Sequence, residues 1–441
     1  MENVDTLISA RWVIPVHPAG VVLHLHSVAV RDGVIIAVLP REEAAARFLA
    51  ADNVDLPDHA LIPGLINLHT HAAMSLMRGL ADDLPLMTGL KQRIWPAEAA
   101  HASPRFVSDG TRLACHEMLR GGITCFNDMY LFPEASAQAA LDCGIRAAVG
   151  IITVDTPTAY ASDTDDYLAK GLAARDRFQD EPLISFCMAP HGPCAVSDRA
   201  FARVVTLAEE LELPIHLHLH ESREEIECSL AQHGKRPMQR MHSLGVLGPR
   251  LIAVHSVHLE DYEIELLARH GASVAHCPSS NLKLANGFAP IHSLQAAGVN
   301  IGLGTDGAAS NNRLDMFQEM RLAALLAKGV SGDPQAMPAQ AALHAATLGG
   351  ARALGLDGTL GSIEPGKAAD LCAVDFTAPG LLPCYDPISH LVYAAGRENV
   401  SNVWIGGKLR LTYGEITGNG ASDMDKMALL WQDKLVFKTK G

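Results

Sequence analysis

The sequence predicts an α/β fold: a (β/α)8 TIM barrel with a small β-sandwich domain built from both chain ends. Three observations carry this prediction. Between residues 60 and 305, short apolar runs alternate eight times with longer amphipathic stretches. Both chain ends carry short β-rich runs broken by turn residues instead. Several of the central apolar runs also close on a histidine or an aspartate, and catalytic groups of barrels collect at the C-terminal ends of strands.

Taken in order, residues 6–16, 21–30 and 33–39 read as short strands of a first β segment. Barrel strands are expected near 61–69, 123–128, 146–154, 183–189, 213–220, 251–255, 273–277 and 300–305. Amphipathic stretches at 103–120, 198–211 and 261–270 supply helices between them. A doubly wound open sheet is the competing architecture, and the His-rich strand ends favour the barrel. After residue 358, Gly361-Ser362-Ile363-Glu364-Pro365-Gly366-Lys367 opens a strand at 370–375, with more at 400–405 and 408–413. Residues 423–436 read as a closing helix. The expected domains are 1–59 and 358–441 for the β part and 60–357 for the barrel.

Composition excludes several classes of function. Hydrophobic residues make up 48% and charged residues 19%, the balance of a chain with a large core. A net charge of −14 argues against nucleic-acid or anionic-membrane partners. The start of the chain lacks the pattern of a signal peptide, and no run of 18 apolar residues occurs, so a cytoplasmic protein is expected. Nine cysteines show no Cys-x-x-Cys pair, which points to reduced thiols in that compartment.

The chemistry concentrates at strand ends. Pro63-Gly64-Leu65-Ile66-Asn67-Leu68-His69-Thr70-His71 is an apolar strand whose two histidines share one face. In Ile215-His216-Leu217-His218-Leu219-His220-Glu221, three histidines face one way and three aliphatics the other. Barrel-facing histidines need polar partners, and a metal is one, but spacing leaves His218 and His220 as equal alternatives. His255 ends the run Leu251-Ile252-Ala253-Val254, where a lone histidine is ordinarily a satisfied core residue. Asp306, before Gly307, is ordinarily a turn residue, but it stands at the end of the eighth strand. His191 closes the fourth.

Gly302-x-Gly304-x-x-Gly307 matches a dinucleotide-binding pattern, yet it comes late and lacks a surrounding βαβ nucleotide domain. No phosphate-binding Gly-x-x-x-x-Gly-Lys-Ser/Thr loop and no Gly-x-Ser-x-Gly elbow occur. His69, His71, a histidine from 216–220 and Asp306 thus make a mixed nitrogen and oxygen shell suited to Zn²⁺ or a similar divalent ion. Glu221 beside it suits proton transfer, and His255 suits orientation of the attacking water. Metal-assisted hydrolysis at an electrophilic carbon is the implied class.

Those motifs, with Leu303-Gly304-Thr305-Asp306-Gly307-Ala308-Ala309-Ser310-Asn311-Asn312 and Ser279-Ser280-Asn281-Leu282-Lys283-Leu284, resemble the amidohydrolase superfamily. The closer likeness is to its methylthioadenosine/S-adenosylhomocysteine deaminase branch, with triazine and guanine hydrolases as relatives. It implies His69, His71, His218 and Asp306 as ligands of one Zn²⁺ per subunit, because the family pattern His-x-x-Glu selects His218. It implies Glu221, His255 and Asp306 as catalytic residues. It assigns substrate contact to Glu98, in Trp95-Pro96-Ala97-Glu98, for ribose hydroxyls, to His191 for the purine ring, and to His218 beside it. Residues 186–191 contain no lysine of the kind that bridges two metals in binuclear relatives.

The implied reaction is deamination of a purine nucleoside at C6, in an enzyme expected to be a homo-oligomer. Hydrolysis of a free guanine- or triazine-like ring is the alternative, and Glu98 separates the two because a free ring has no sugar. A scaffold that kept the barrel without chemistry is a third reading, disfavoured by the intact set of residues. No arginine lies between Arg146 and Arg175, where some relatives hold the amino-acid carboxylate of S-adenosylhomocysteine. Methylthioadenosine or adenosine is therefore the expected substrate.

Overall fold

The computed structural model describes residues 1–417 and 423–437 of the chain. Two eight-stranded sheets organise it. The first takes β1 (Glu2–Val13), β2 (Leu23–Arg31), β3 (Val34–Pro40) and β4 (Phe48–Pro63) from the beginning of the chain. The second runs through β5 (Leu65–Thr70), β6 (Ile123–Asp128), β7 (Arg146–Thr153), β8 (Ile184–Pro190), β9 (Ile215–Leu219), β10 (Leu251–His255), β11 (Ser273–His276) and β12 (Asn300–Leu303). Then β13 (Leu371–Asp375), β14 (Val400–Ile405), β15 (Lys408–Thr412) and β16 (Glu415–Ile416) return to the first sheet, in the order β16-β15-β14-β13-β4-β1-β2-β3. The chain divides into two compact units. One gathers Met1–Ile66, Met118–Cys125 and residues 315–417; the other gathers Asn67–Glu117, Phe126–Leu314 and the C-terminal helix.

In the first sheet, alternate residues serve opposite faces. Ile8, Val28 and Val30 join one apolar cluster, while Leu7 and Ala29 join another with Phe48 and Ala44. The sheet is mostly antiparallel, but β1 and β4 pair in parallel over nearly their whole length. The sequence gives no warning of β4. Its middle, Ala51-Asp52-Asn53-Val54-Asp55-Leu56-Pro57-Asp58, is rich in residues disfavoured in strands, and long-range pairing with β1 overrides that propensity. It also divides the run expected as the first barrel strand. Leu61 to Pro63 belong to β4, the chain breaks at Gly64, and β5 starts at Leu65. A Cβ at Gly64 would lie 2.1 Å from the Thr124 Oγ1, so only glycine fits there.

The second sheet is the expected barrel, with helices following the strands and neighbouring strands paired in parallel. The first and last strands meet around Thr305 and Asp306. The Asp306 N–H donates to the His69 carbonyl at 2.9 Å, and Thr305 N–H donates to Asn67 Oδ1 at 2.9 Å. The strands β5 and β9 are buried along their whole length, so their polar side chains point into the barrel and must find partners there.

Helices Pro104–Arg120, Asp198–Glu210 and Asp261–His270 fall where amphipathic spacing puts them. The C-terminal helix, Met424–Phe437, anchors on Pro104–Arg120: the Trp431 and Phe106 ring centroids lie 5.1 Å apart, and Trp431 Nε1–H donates to Asp109 Oδ2 at 2.9 Å. Among the described residues no helix is long and apolar enough to cross a membrane. The expectation of reduced thiols meets one exception. Cys194 and Cys228 are paired as a disulfide, although 34 residues apart, while the other seven cysteines stand outside any disulfide. The loop after β8 and the helix Arg223–His233 bring those two sulfurs together, which no local spacing could announce.

Candidate metal and catalytic site

At the C-terminal ends of β5, β9, β10 and β12, four histidines and one aspartate converge. His69 and His71 Nε2 each stand 3.3 Å from Asp306 Oδ1, and all three residues are buried. His69, His71 and Asp306 form one group of potential ligand atoms lying within 4.8 Å of one another; His69, His218 and His255 form a second. The His69 and His218 ring centroids are 4.9 Å apart, and those of His71 and His218 are 5.4 Å apart.

The rings are fixed by their other nitrogens. His71 Nδ1 lies 2.6 Å from the Met129 carbonyl, and His218 Nδ1 lies 2.6 Å from the His191 carbonyl. A carbonyl only accepts, so each Nδ1 carries a proton and each Nε2 is the nitrogen turned toward the cluster. Burial pushes the His69 imidazole down to about 3 and holds His218 well below the ordinary histidine range, so both rings are neutral at pH 7. Burial works against the Asp306 charge, yet the facing His69 and the fields of His71 and His255 hold its carboxyl well below the usual range. Ser280 Oγ–H donates to its Oδ2 at 2.6 Å and Gly307 N–H to its Oδ1 at 2.6 Å.

The neutral rings of His69 and His218, with His71 Nε2, therefore stand around a carboxylate, and His69 Nε2 is buried without a hydrogen-bond partner. Such a set of acceptors repels itself unless a cation sits among them. The neutral nitrogen and anionic oxygen donors suit Zn²⁺ or a similar ion. The glycines of the late Gly-x-Gly-x-x-Gly pattern belong to this packing. A Cβ on Gly304 would lie 2.8 Å from His69 Cβ, and one on Gly307 would lie 3.0 Å from His71 Cβ.

The three histidines of β9 separate into three situations. His218 joins the cluster. His216 Nε2 lies 2.9 Å from His69 Nδ1. His220 turns away: its Nε2 accepts from Met238 N–H at 3.0 Å and its Nδ1 contacts the His258 carbonyl at 3.1 Å. Hydrogen bonding thus sets His220 apart from His218, because both of its nitrogens are engaged elsewhere.

His255 Nε2 stands 3.8 Å from Glu221 Oε1, and its Nδ1 meets Asn281 Oδ1 at 2.9 Å. Asn286 Nδ2–H donates to Glu221 Oε1 at 3.1 Å. The turn carrying Glu221 is tied down by Glu225, whose carboxylate accepts the backbone N–H groups of His220 and Glu221, both at 2.9 Å. One short stretch after β11 thus supplies Ser280 to Asp306, Asn281 to His255 and Asn286 to Glu221. Their supporting roles went unassigned in the sequence, although their place directly after a barrel strand was a usable signal.

Two residues expected at the substrate lie further out. Glu98, on the helix Trp95–His101, accepts from the Tyr130 hydroxyl at 2.8 Å. Burial raises its carboxyl above the ordinary range against the pull of Tyr130. His191 follows β8 directly, is exposed, and has its ring centroid 4.9 Å from that of His218. The contribution of Tyr130 was not foreseen.

Known proteins bear a close likeness to this chain. Residues 60–410 match the profile of the amidohydrolase family. A 5-methylthioadenosine/S-adenosylhomocysteine deaminase of Saccharophagus degradans is 45% identical, over 98% of this chain and 97% of its own length. The counterpart from Teredinibacter turnerae is 44% identical over 99% of both chains. A crystal structure of an adenosine deaminase from Xanthomonas campestris with bound zinc superposes with a TM-score of 0.98 at 51% identity, covering 99% of each chain. Atrazine chlorohydrolase TrzN from Arthrobacter aurescens shares the fold at 23% identity, with a TM-score of 0.86 and coverage of 98% and 100%. The (β/α)8 barrel, the cluster of histidines around Asp306 and these likenesses agree: the chain belongs to the amidohydrolase family.

Proposed function

We propose that this protein hydrolyses the C6 amino group of an adenine nucleoside, giving the inosine-type product and ammonia. The observation that carries this reading is the acceptor-only cluster of His69, His71, His218 and Asp306 beside the Glu221 and His255 pair. The names of the similar deaminases support the substrate class. His69, His71, His218 and Asp306 would hold one Zn²⁺. When bound, the ion supplies Lewis-acid activation of water at neutral pH.

The chain's own groups do the rest. Glu221 moves a proton to the ring nitrogen, with Asn286 fixing Oε1 and leaving Oε2 for the transfer. His255, held by Asn281, presents Nε2 to the charge that develops at C6. Asp306 takes a proton from the attacking water, and with the proton delivered to nitrogen the C6–N bond breaks and ammonia leaves. Glu98 binds the ribose hydroxyls, while His191 and His218 bound the purine ring.

Between Arg146 and Arg175 the single cation is Lys170, and it is engaged with the Tyr160 carbonyl at 2.7 Å and Asp166 at 2.9 Å. A substrate carboxylate would find no free partner in that stretch, which favours methylthioadenosine or adenosine over S-adenosylhomocysteine. Ammonia release from adenosine, methylthioadenosine, S-adenosylhomocysteine and guanine tests the whole reading. Turnover of the two carboxylate-free nucleosides is expected; activity on guanine alone would overturn it, and a higher kcat/KM on S-adenosylhomocysteine would overturn the preference.

The domain limits 1–59, 60–357 and 358–441 belong to the same proposal; the two sheets support the division in outline, while β4 runs on to Pro63 and the C-terminal helix groups with the barrel unit. So do a cytoplasmic location, a homo-oligomeric state and the absence of nucleic-acid partners, the last supported by the net charge of −14. Size-exclusion chromatography with light scattering checks the oligomer.

A further inference from the structure

The three metal-facing histidines do not share one kind of support. His71 and His218 rest on backbone carbonyls, which dictate where the proton sits. His69 rests on another imidazole, His216 Nε2 at 2.9 Å, and an imidazole nitrogen can donate or accept. Both rings are buried completely. If His216 donated, His69 Nδ1 would be the acceptor, its proton would sit on Nε2, and that nitrogen could not bind a metal. If His216 accepts, His69 Nε2 is free, and His216 carries its own proton on Nδ1.

We propose that His216 is the positioning residue of the metal centre, holding His69 in the one tautomer whose Nε2 can bind the ion. The inference rests on the zinc reading above. It fits the two unpartnered buried atoms of this pair, His69 Nε2 and His216 Nδ1, since one awaits the ion and the other holds the proton displaced from it. It also explains the three histidines of β9 without redundancy: one fixes a ligand, one is a ligand, and one braces the following turn. Second contacts of this kind tune metal affinity by roughly 10–100-fold, and here the contact comes from a side chain that mutation can remove, unlike a carbonyl.

The test is zinc affinity, measured by competition between the zinc-loaded protein and a chromophoric chelator, in wild type, H216L, H216N and H216Q. Glutamine places an acceptor oxygen near the Nε2 position, asparagine is too short to reach it, and leucine offers none. The expected order is wild type and H216Q close together, with H216N and H216L weaker by roughly 10–100-fold. Circular dichroism and the zinc-free Tm report folding separately. Should H216L fail to fold, the contrast between H216Q and H216N decides. Equal zinc affinity in H216Q and H216N, or wild-type affinity in a folded H216L, overturns the proposal. Wild type that holds no zinc would instead overturn the metal reading itself.

Discussion

The metal side of the site and the proposed substrate side are built differently. On the metal side every group is buried and held at a second atom: His71 by a carbonyl, His69 by His216, and Asp306 by Ser280 and Gly307. On the substrate side, Glu98 sits on a short helix outside the barrel strands and has Tyr130 as its hydrogen-bond partner, while His191 is exposed. The proposed metal ligands are fixed at strand ends, and the proposed substrate contacts hang on connections. The same barrel can therefore keep one hydrolytic chemistry while its ring and sugar contacts change.

Substitutions can break this contrast, and the largest effect is expected on the metal side. H71A should lower kcat/KM by roughly 10³-fold or more, with zinc lost in parallel, because several kcal/mol of charge stabilisation disappear. Elemental analysis alongside kinetics checks both halves. Next comes E221Q, which should lower kcat by roughly 10²–10⁴-fold with zinc content unchanged. Loss of zinc in E221Q would erase the boundary between the two sides. E98Q removes a charged acceptor from the proposed sugar contact and should raise KM for nucleosides by roughly 10–100-fold, leaving any turnover of free bases alone. The smallest change is Y130F, where losing one hydrogen bond of about 1 kcal/mol should weaken nucleoside binding roughly five-fold. A Y130F effect larger than that of E98Q would show that Tyr130 meets the substrate directly.

The metal side was also the more legible in the sequence. Period-two spacing put His69 and His71 on one face, and the apolar runs before His255 and Asp306 marked strand ends. What spacing could not supply was the partner of each ring. His216, His218 and His220 are equivalent by period, and they part only because Met238 N–H and the His258 carbonyl engage His220. Ser280, Asn281 and Asn286 act across 26, 26 and 65 residues of chain, distances that closure of the barrel removes. The strand β4 was hidden for the converse reason: its polar residues suit a loop, and pairing with β1 decided otherwise.

Gly304 and Gly307 bear no ligand atom, yet the two residues of the His69-x-His71 motif pack against them through their Cβ atoms. Natural variation at these positions would be as tightly bounded as at the histidines themselves. A single methyl group at either one would push apart residues that the metal has to reach together. A survey of inactive variants that looked only at side chains able to bind an ion would overlook both. In this barrel, part of what keeps the ion is the room left by two residues with nothing to offer it.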